Sequence, residues 1–120
     1  MSDRTDLIDR YIAIWNETDA ARRRDLIART WTEQASYLDP LMQGDGQAGI
    51  DAMVAGVQQR FPAHRFRRAG AVDAFKDRVR FRWELVPEGG AAIVEGTDFA
   101  LVAADDRLQA VTGFIDRMPG

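Results

Sequence analysis

Three polar side chains stand where the surrounding sequence is apolar. Asp39, in "SYLDPLMQGDGQAGI" (36–50), closes a short strand and is enclosed by Leu38, Pro40, Leu41 and Met42. Asp98, in "VEGTDFALV", shares strand parity with Val94, Ala100 and Val102. Tyr11, in "RYIAIW", lies on the apolar stripe of a helix. A carboxylate in an apolar row is costly when charged and unpaired, so the pKa of Asp98 is expected to rise. A buried phenol must find a hydrogen-bond partner. Asp39, at a strand end, is placed to be partly desolvated and still reach a substrate carbon. An acid with a raised pKa beside one with a lower pKa separates the proton donor from the base. His64, the one imidazole, alternates with Phe66 onto the inward side and adds a candidate acid, base or donor.

Each residue also has a plain structural reading. Tyr11 fits a core tyrosine bonded to a backbone carbonyl, and Asp39 fits a cap on the turn before Pro40. Asp98 fits a structural acid bonded to Tyr11 or to a neighbouring strand, or a solvent-facing acid if a bulge shifts the parity. His64 fits a satisfied structural histidine. Trp15, Trp31 and Trp83 read first as core. The arginine rows at 65, 67, 78, 80 and 82, and "ARRRD", read as a solvated surface.

The elements that position these residues follow from periodicity. Leu7, Ile8, Tyr11, Ile12 and Trp15 define one face of a helix over 3–16, with Asp3 and Asp6 near its positive end. "NETD" breaks it, and Thr18 or Asp19 caps a second helix over 20–30 that buries Leu26, Ile27 and Trp31. A strand over 35–38 runs into a glycine turn. A third helix over 47–60 presents Ile50, Met53, Val54 and Val57 until Pro62 prevents continuation. The period then changes to two. "RVRFRWEL" puts Val79, Phe81, Trp83 and Leu85 on a buried face and Arg78, Arg80, Arg82 and Glu84 on a polar one. A "PEGG" hairpin turn leads to a long strand, and "ADDR" to the last strand, "LQAVTGFID". Helices followed by antiparallel strands give an α+β domain with one curved sheet wrapped on the helices.

Composition narrows the function classes. The 120 residues suit one domain, with 46% hydrophobic and 29% charged residues. Without cysteine there is no disulfide, thiolate nucleophile or cysteine zinc site, and one histidine excludes a histidine-rich metal cluster. A net charge of −3 argues against bulk nucleic-acid affinity. No apolar run approaches the roughly 20 residues of a membrane span, and "MSDRTDLIDR" lacks a signal-peptide pattern, so a cytoplasmic protein is expected.

"RYIAIWNETD", "SYLDP", the glycine turn before "AGIDAM", "VRFRWEL", "VEGTDFALV" and "DRLQAVTGFID" occur in the order found in SnoaL-like and ketosteroid isomerase-like proteins. The chain resembles this branch of the nuclear transport factor 2-like superfamily along nearly its whole length. The resemblance implies a conical α+β half-barrel with an internal pocket, proton transfer on a small apolar carbonyl compound, and no cofactor or metal. Carried over residue by residue, it implies Asp39 as base, with Asp98, kept protonated, and Tyr11 as donors to an oxyanion. His64, in "FPAHRF", departs from the steroid isomerase pattern and resembles a segment of SnoaL-like proteins, so it is an auxiliary acid/base candidate. Trp15, Met53, Val57, Phe61, Phe66, Phe81, Trp83 and Phe114 are the expected substrate contacts. The alternative is a non-catalytic binding module. A third reading rests on Arg82-Trp83-Glu84, which is faintly similar to an epoxide hydrolase element, although alternation puts Arg82 and Glu84 on the polar face. Relatives by resemblance pair through the open sheet face, which implies a homodimer.

Overall fold

A computed structural model describes residues 4–119. Helix α1 (Thr5–Asn16) buries Leu7, Ile8, Tyr11, Ile12 and Trp15, the expected stripe. Asp6 lies in its first turn, whereas Asp3 lies outside the described residues. Helix α2 (Ala20–Thr30) is capped by Asp19, whose carboxylate accepts from the Arg22 N–H at 2.9 Å. Strand β1 (Trp31–Leu38) follows α2 directly and begins earlier than the expected 35–38. Trp31 carries the chain into extended geometry at once, and a bulge between Trp31 and Ser36 absorbs the change in register.

The turn after Pro40 contains an element that its glycines conceal. Gln43–Asp45 form a short strand, β2, antiparallel to β1 with Tyr37 opposite Gly44. Helix α3 (Gly46–Arg60) follows, with Ile50 and Val54 fully buried. Four strands complete the chain: β3 (His64–Phe75), β4 (Arg78–Pro87), β5 (Val94–Val102) and β6 (Leu108–Arg117). The six-stranded sheet runs β2-β1-β6-β5-β4-β3. Only β1 and β6 pair in parallel.

The helices fill the concave side of this curved sheet. Register decides which side chains join them, because a one-residue slip would exchange the two faces. Val79, Phe81, Trp83 and Leu85 of β4 are buried, while Arg78, Arg80 and Arg82 are exposed. In β5, Val94, Asp98, Ala100 and Val102 face inward, and Phe99 faces out. One core joins these strands to Leu7, Tyr11, Trp15, Ile50 and Val54. No helix among the described residues is long and apolar enough to cross a membrane.

Candidate active site

Five elements bring polar groups to one place inside the cone. Helix α1 supplies Tyr11, β1 supplies Tyr37, and the turn after β1 supplies Asp39. Strand β4 supplies Trp83, and β5 supplies Asp98. Asp98 is 2% exposed, and its two oxygens are divided between two donors. The Tyr11 hydroxyl donates to Oδ2 at 2.7 Å, and the Trp83 indole Nε1–H donates to Oδ1 at 2.8 Å. Asp39 is 9% exposed. Its Oδ2 accepts from the Tyr37 hydroxyl at 2.6 Å, and its Oδ1 accepts from the backbone N–H groups of Leu41 and Met42 at 2.8 and 2.9 Å. The Asp39 N–H in turn donates to the Met42 carbonyl. Asp39 is therefore a turn cap and a cavity-wall acid at once.

Two glycines make this convergence possible. Gly113 pairs directly with Asp98 across β5 and β6. A Cβ on Gly113 would lie 2.9 Å from Asp98 Oδ1, 3.1 Å from the Tyr37 hydroxyl and 3.2 Å from Asp39 Cβ. Any side chain there would wedge the two acid–tyrosine pairs apart. Gly96 pairs with Trp83 across β4 and β5, and the indole lies over it. A Cβ on Gly96 would fall 2.2 and 2.5 Å from indole carbons, far inside contact distance. The absence of a side chain at Gly96 thus lets Trp83 reach Asp98.

Burial pushes the Asp98 carboxyl up from 3.8 to about 6; the Tyr11 and Trp83 hydrogen bonds work against the rise, and the Asp39 charge adds to it. Both tyrosines are raised, first by burial and then by the charge of Asp98, with the hydrogen bonds to Asp98 and Asp39 adding to the effect. They remain O–H donors wherever the fold is stable. The raised Asp98 also sets a pH dependence of stability. Between about 4 and 6 the folded chain holds a proton at Asp98 that the unfolded chain has released. The Asp98 contribution to stability is therefore greatest below this window and falls as pH rises through it, by on the order of 3 kcal/mol. Urea titrations at about pH 4 and about pH 7.5 should show this contribution as the difference between the wild type and Asp98→Asn in their change of stability. An unchanged pH dependence in the variant would remove Asp98 as its source.

The acids open on a cavity of about 300 Å³. Of the expected residues, Tyr11, Asp39, Asp98, Trp15, Val57, Phe61, Phe66 and Trp83 line it. Four others do not. His64 starts β3 just after the turn in which Ala63 takes a left-handed φ of 60°. Its Nδ1 sits 2.9 Å from the Pro62 carbonyl, and its ring lies edge-on to Phe61, so it is held outside the wall. Met53 is half-buried and packs on the core one helical turn before Val57. Phe81 packs edge-on against the Tyr11 ring, 5.5 Å away, within the core. Phe114 has the opposite parity to buried Gly113, so it stands on the outer sheet face at 56% exposure. Arg82 is exposed on that face too, and Glu84 pairs there with Arg67 at 2.7 Å.

Tyr37 is a site residue that periodicity assigns only to the strand. A signal for it exists in the sequence, since it stands two residues before Asp39 at the same strand parity. The Trp83 hydrogen bond to Asp98 has no such signal. Its register opposite Gly96 leaves room for the indole, but no periodicity argument shows where an indole N–H points. Among the described residues, no group of three or more His, Cys, Asp or Glu side chains is arranged to hold a metal ion.

Three helices inside an unclosed six-stranded mixed sheet define the conical α+β fold of the nuclear transport factor 2-like superfamily. Solved structures narrow this class. An isomerase candidate of the SnoaL-like family from Agrobacterium tumefaciens strain C58 matches with a TM-score of 0.92 and 40% identity, over 97% of this chain and 99% of that one. The chain therefore belongs to the SnoaL-like family. A SnoaL-like polyketide cyclase candidate from Jannaschia sp. CCS1 shares the fold at TM-score 0.70 and 19% identity, over 97% of this chain and 90% of that one. A nuclear transport factor 2-like protein of unknown function from Exiguobacterium sp. 255-15 does so at TM-score 0.72 and 22% identity, over 92% and 98%. No family model matches the sequence, and no curated protein matches it.

Proposed function

We propose that the protein is an isomerase or cyclase that moves a proton on a small, apolar, carbonyl-bearing molecule held in the cone. The observation that carries this reading is Asp98: a buried carboxylate in the cavity wall, held by Tyr11 and Trp83, with its pKa raised to about 6. A general base works best when its pKa lies near the operating pH. Above about 6, Asp98 is ionised and takes a proton from the carbon next to the substrate carbonyl, leaving the electron pair on the carbonyl oxygen as an enolate. Once neutral, Asp98 is a weaker acceptor, so the Tyr11 O–H turns from it toward the new oxyanion. Return of the proton from Asp98 to the far carbon of a conjugated double bond completes an isomerisation. Attack of the enolate carbon on a second carbonyl, whose oxygen then takes the proton from Asp98, completes a cyclisation. The isomerase and cyclase descriptions of similar proteins support this reaction class.

This assignment moves the base from Asp39 to Asp98. Asp39 already accepts three hydrogen bonds, which occupy both of its oxygens and tie them to its own turn and to Tyr37. In this reading it anchors the turn and orients Tyr37. Exchange of the α-protons of phenylacetone for deuterium, followed by proton NMR, tests the proposal without knowledge of the natural substrate. Exchange above the buffer rate is expected. Binding of the ketone with no exchange would leave a binding module instead.

The same reading includes a homodimer through the outer sheet face, where Arg78, Arg80, Arg82, Glu84 and Glu95 surround exposed Phe99 and Phe114. Charged contacts at such an interface weaken as salt screens them. Sedimentation velocity should give a dimer at low ionic strength and weaker association at high. A monomer at micromolar concentration under both conditions would contradict this assembly.

A further inference from the structure

The cavity wall carries apolar, aromatic and acidic side chains and one basic one. Arg60, in the last turn of α3, is the only cation among the described residues that line it. Arg60 is exposed, and so is Leu41, and so is Met118, both of which line the same cavity. These three form its mouth, whereas Tyr11, Trp83 and Asp98 form its floor. Among the described residues, Arg60 makes no ion pair or hydrogen bond. Among the described residues Arg23 pairs with Asp51 and Arg67 with Glu84, while the side chains of Arg24, Arg65 and Arg82 are as unpaired as that of Arg60, so its distinction is its place on the cavity. A cation suits the C-terminal end of a helix, and that accounts for its place on α3. It does not require the side chain to line the cavity.

We infer that Arg60 selects substrates bearing an anionic group, a carboxylate or similar acid, at the end of the molecule remote from the reacting carbonyl. This rests on the proton-transfer reading above and names the substrate class for it. The two carboxylates at depth, Asp39 and Asp98, repel an anion, while Arg60 at the rim attracts one with a fork suited to carboxylates. The apolar flanks Leu41 and Met118 cover the body between. The charges therefore fix orientation as well as affinity: carbonyl inward, anion outward.

Benzoylpropionate and its methyl ester provide the test, since each carries an aryl ketone and they differ in the remote charge. By isothermal titration calorimetry at low salt, the wild type should bind the acid about five- to tenfold more tightly than the ester. Added salt should shrink the difference. Arg60→Gln should abolish the preference, so that acid and ester bind alike, and Arg60→Lys should keep part of it. Equal binding of acid and ester by the wild type would overturn the role of Arg60 and leave the proton-transfer site standing. A preference that survives Arg60→Gln would overturn it as well. Failure of both ligands to bind would overturn it together with the cavity reading.

Discussion

Asp98→Asn should reduce α-proton exchange by about 10²-fold or more, the usual range for loss of a general base. The asparagine retains one oxygen to accept from Trp83, and its amide nitrogen can donate to Tyr11, so the hydrogen bonds at that position survive in altered polarity. What it loses is the ability to hold a proton. Asp39→Asn should act differently. Its main partners are backbone N–H groups of its own turn, so the variant should lose stability, by about 1–3 kcal/mol if one donor is left unmatched. Its exchange rate should fall far less. Exchange rates and urea midpoints measured on both variants separate the two roles. Equal losses of rate in both would return Asp39 to the chemistry, and a larger loss in Asp39→Asn would reverse the assignment.

Gly96→Ala should be nearly as damaging, although it removes no polar group. The new methyl would meet the Trp83 indole at 2.2 Å and the Phe114 carbonyl oxygen at 2.6 Å. The indole must move, because the carbonyl belongs to the adjacent strand and cannot. Overpacking of this kind costs about 1–3 kcal/mol. Its chemical effect is specific: the Nε1–H leaves Asp98, and a bond that lowers the carboxyl pKa is lost. The acid should then titrate higher than about 6, and the exchange rate at neutral pH should fall as more of it stays protonated. Trp83→Phe should raise the titration in the same direction without the clash. A Gly96→Ala variant with unchanged tryptophan emission and unchanged exchange would show that the indole does not depend on this glycine.

Alternation makes the sheet faces legible from the residues alone. A single row of Val79, Phe81, Trp83 and Leu85 against arginines admits one register, and that register sets Asp98 inward beside Phe81. The helix stripe places Tyr11 in the same way. Strand β2 stays hidden because three residues with a glycine at the centre carry no period, and their pairing depends on β1. Phe114 is misleading because "LQAVTGFID" invites an aromatic to be counted as core. A small residue, Gly113, takes the inward position beside Asp98, where space matters more than hydrophobicity. His64 keeps the parity of Phe66 but opens β3 at the strand's end, where its ring packs on Phe61 and its Nδ1 meets the Pro62 carbonyl instead of lining the cavity. The pairing of Tyr37 with Asp39 needs the turn geometry, which sequence spacing alone does not give.

Asp98, in this mechanism, is a buried carboxyl poised to exchange a proton near neutral pH. A carbon-13 NMR titration of the aspartate carboxyls, with Asp98 assigned by its loss in Asp98→Asn, measures this directly. A midpoint near 6 is expected for that resonance, moving upward in Tyr11→Phe, where a hydrogen bond to the ionised form is removed. A midpoint close to the ordinary 3.8, unmoved by Tyr11→Phe, would contradict the role given to Asp98.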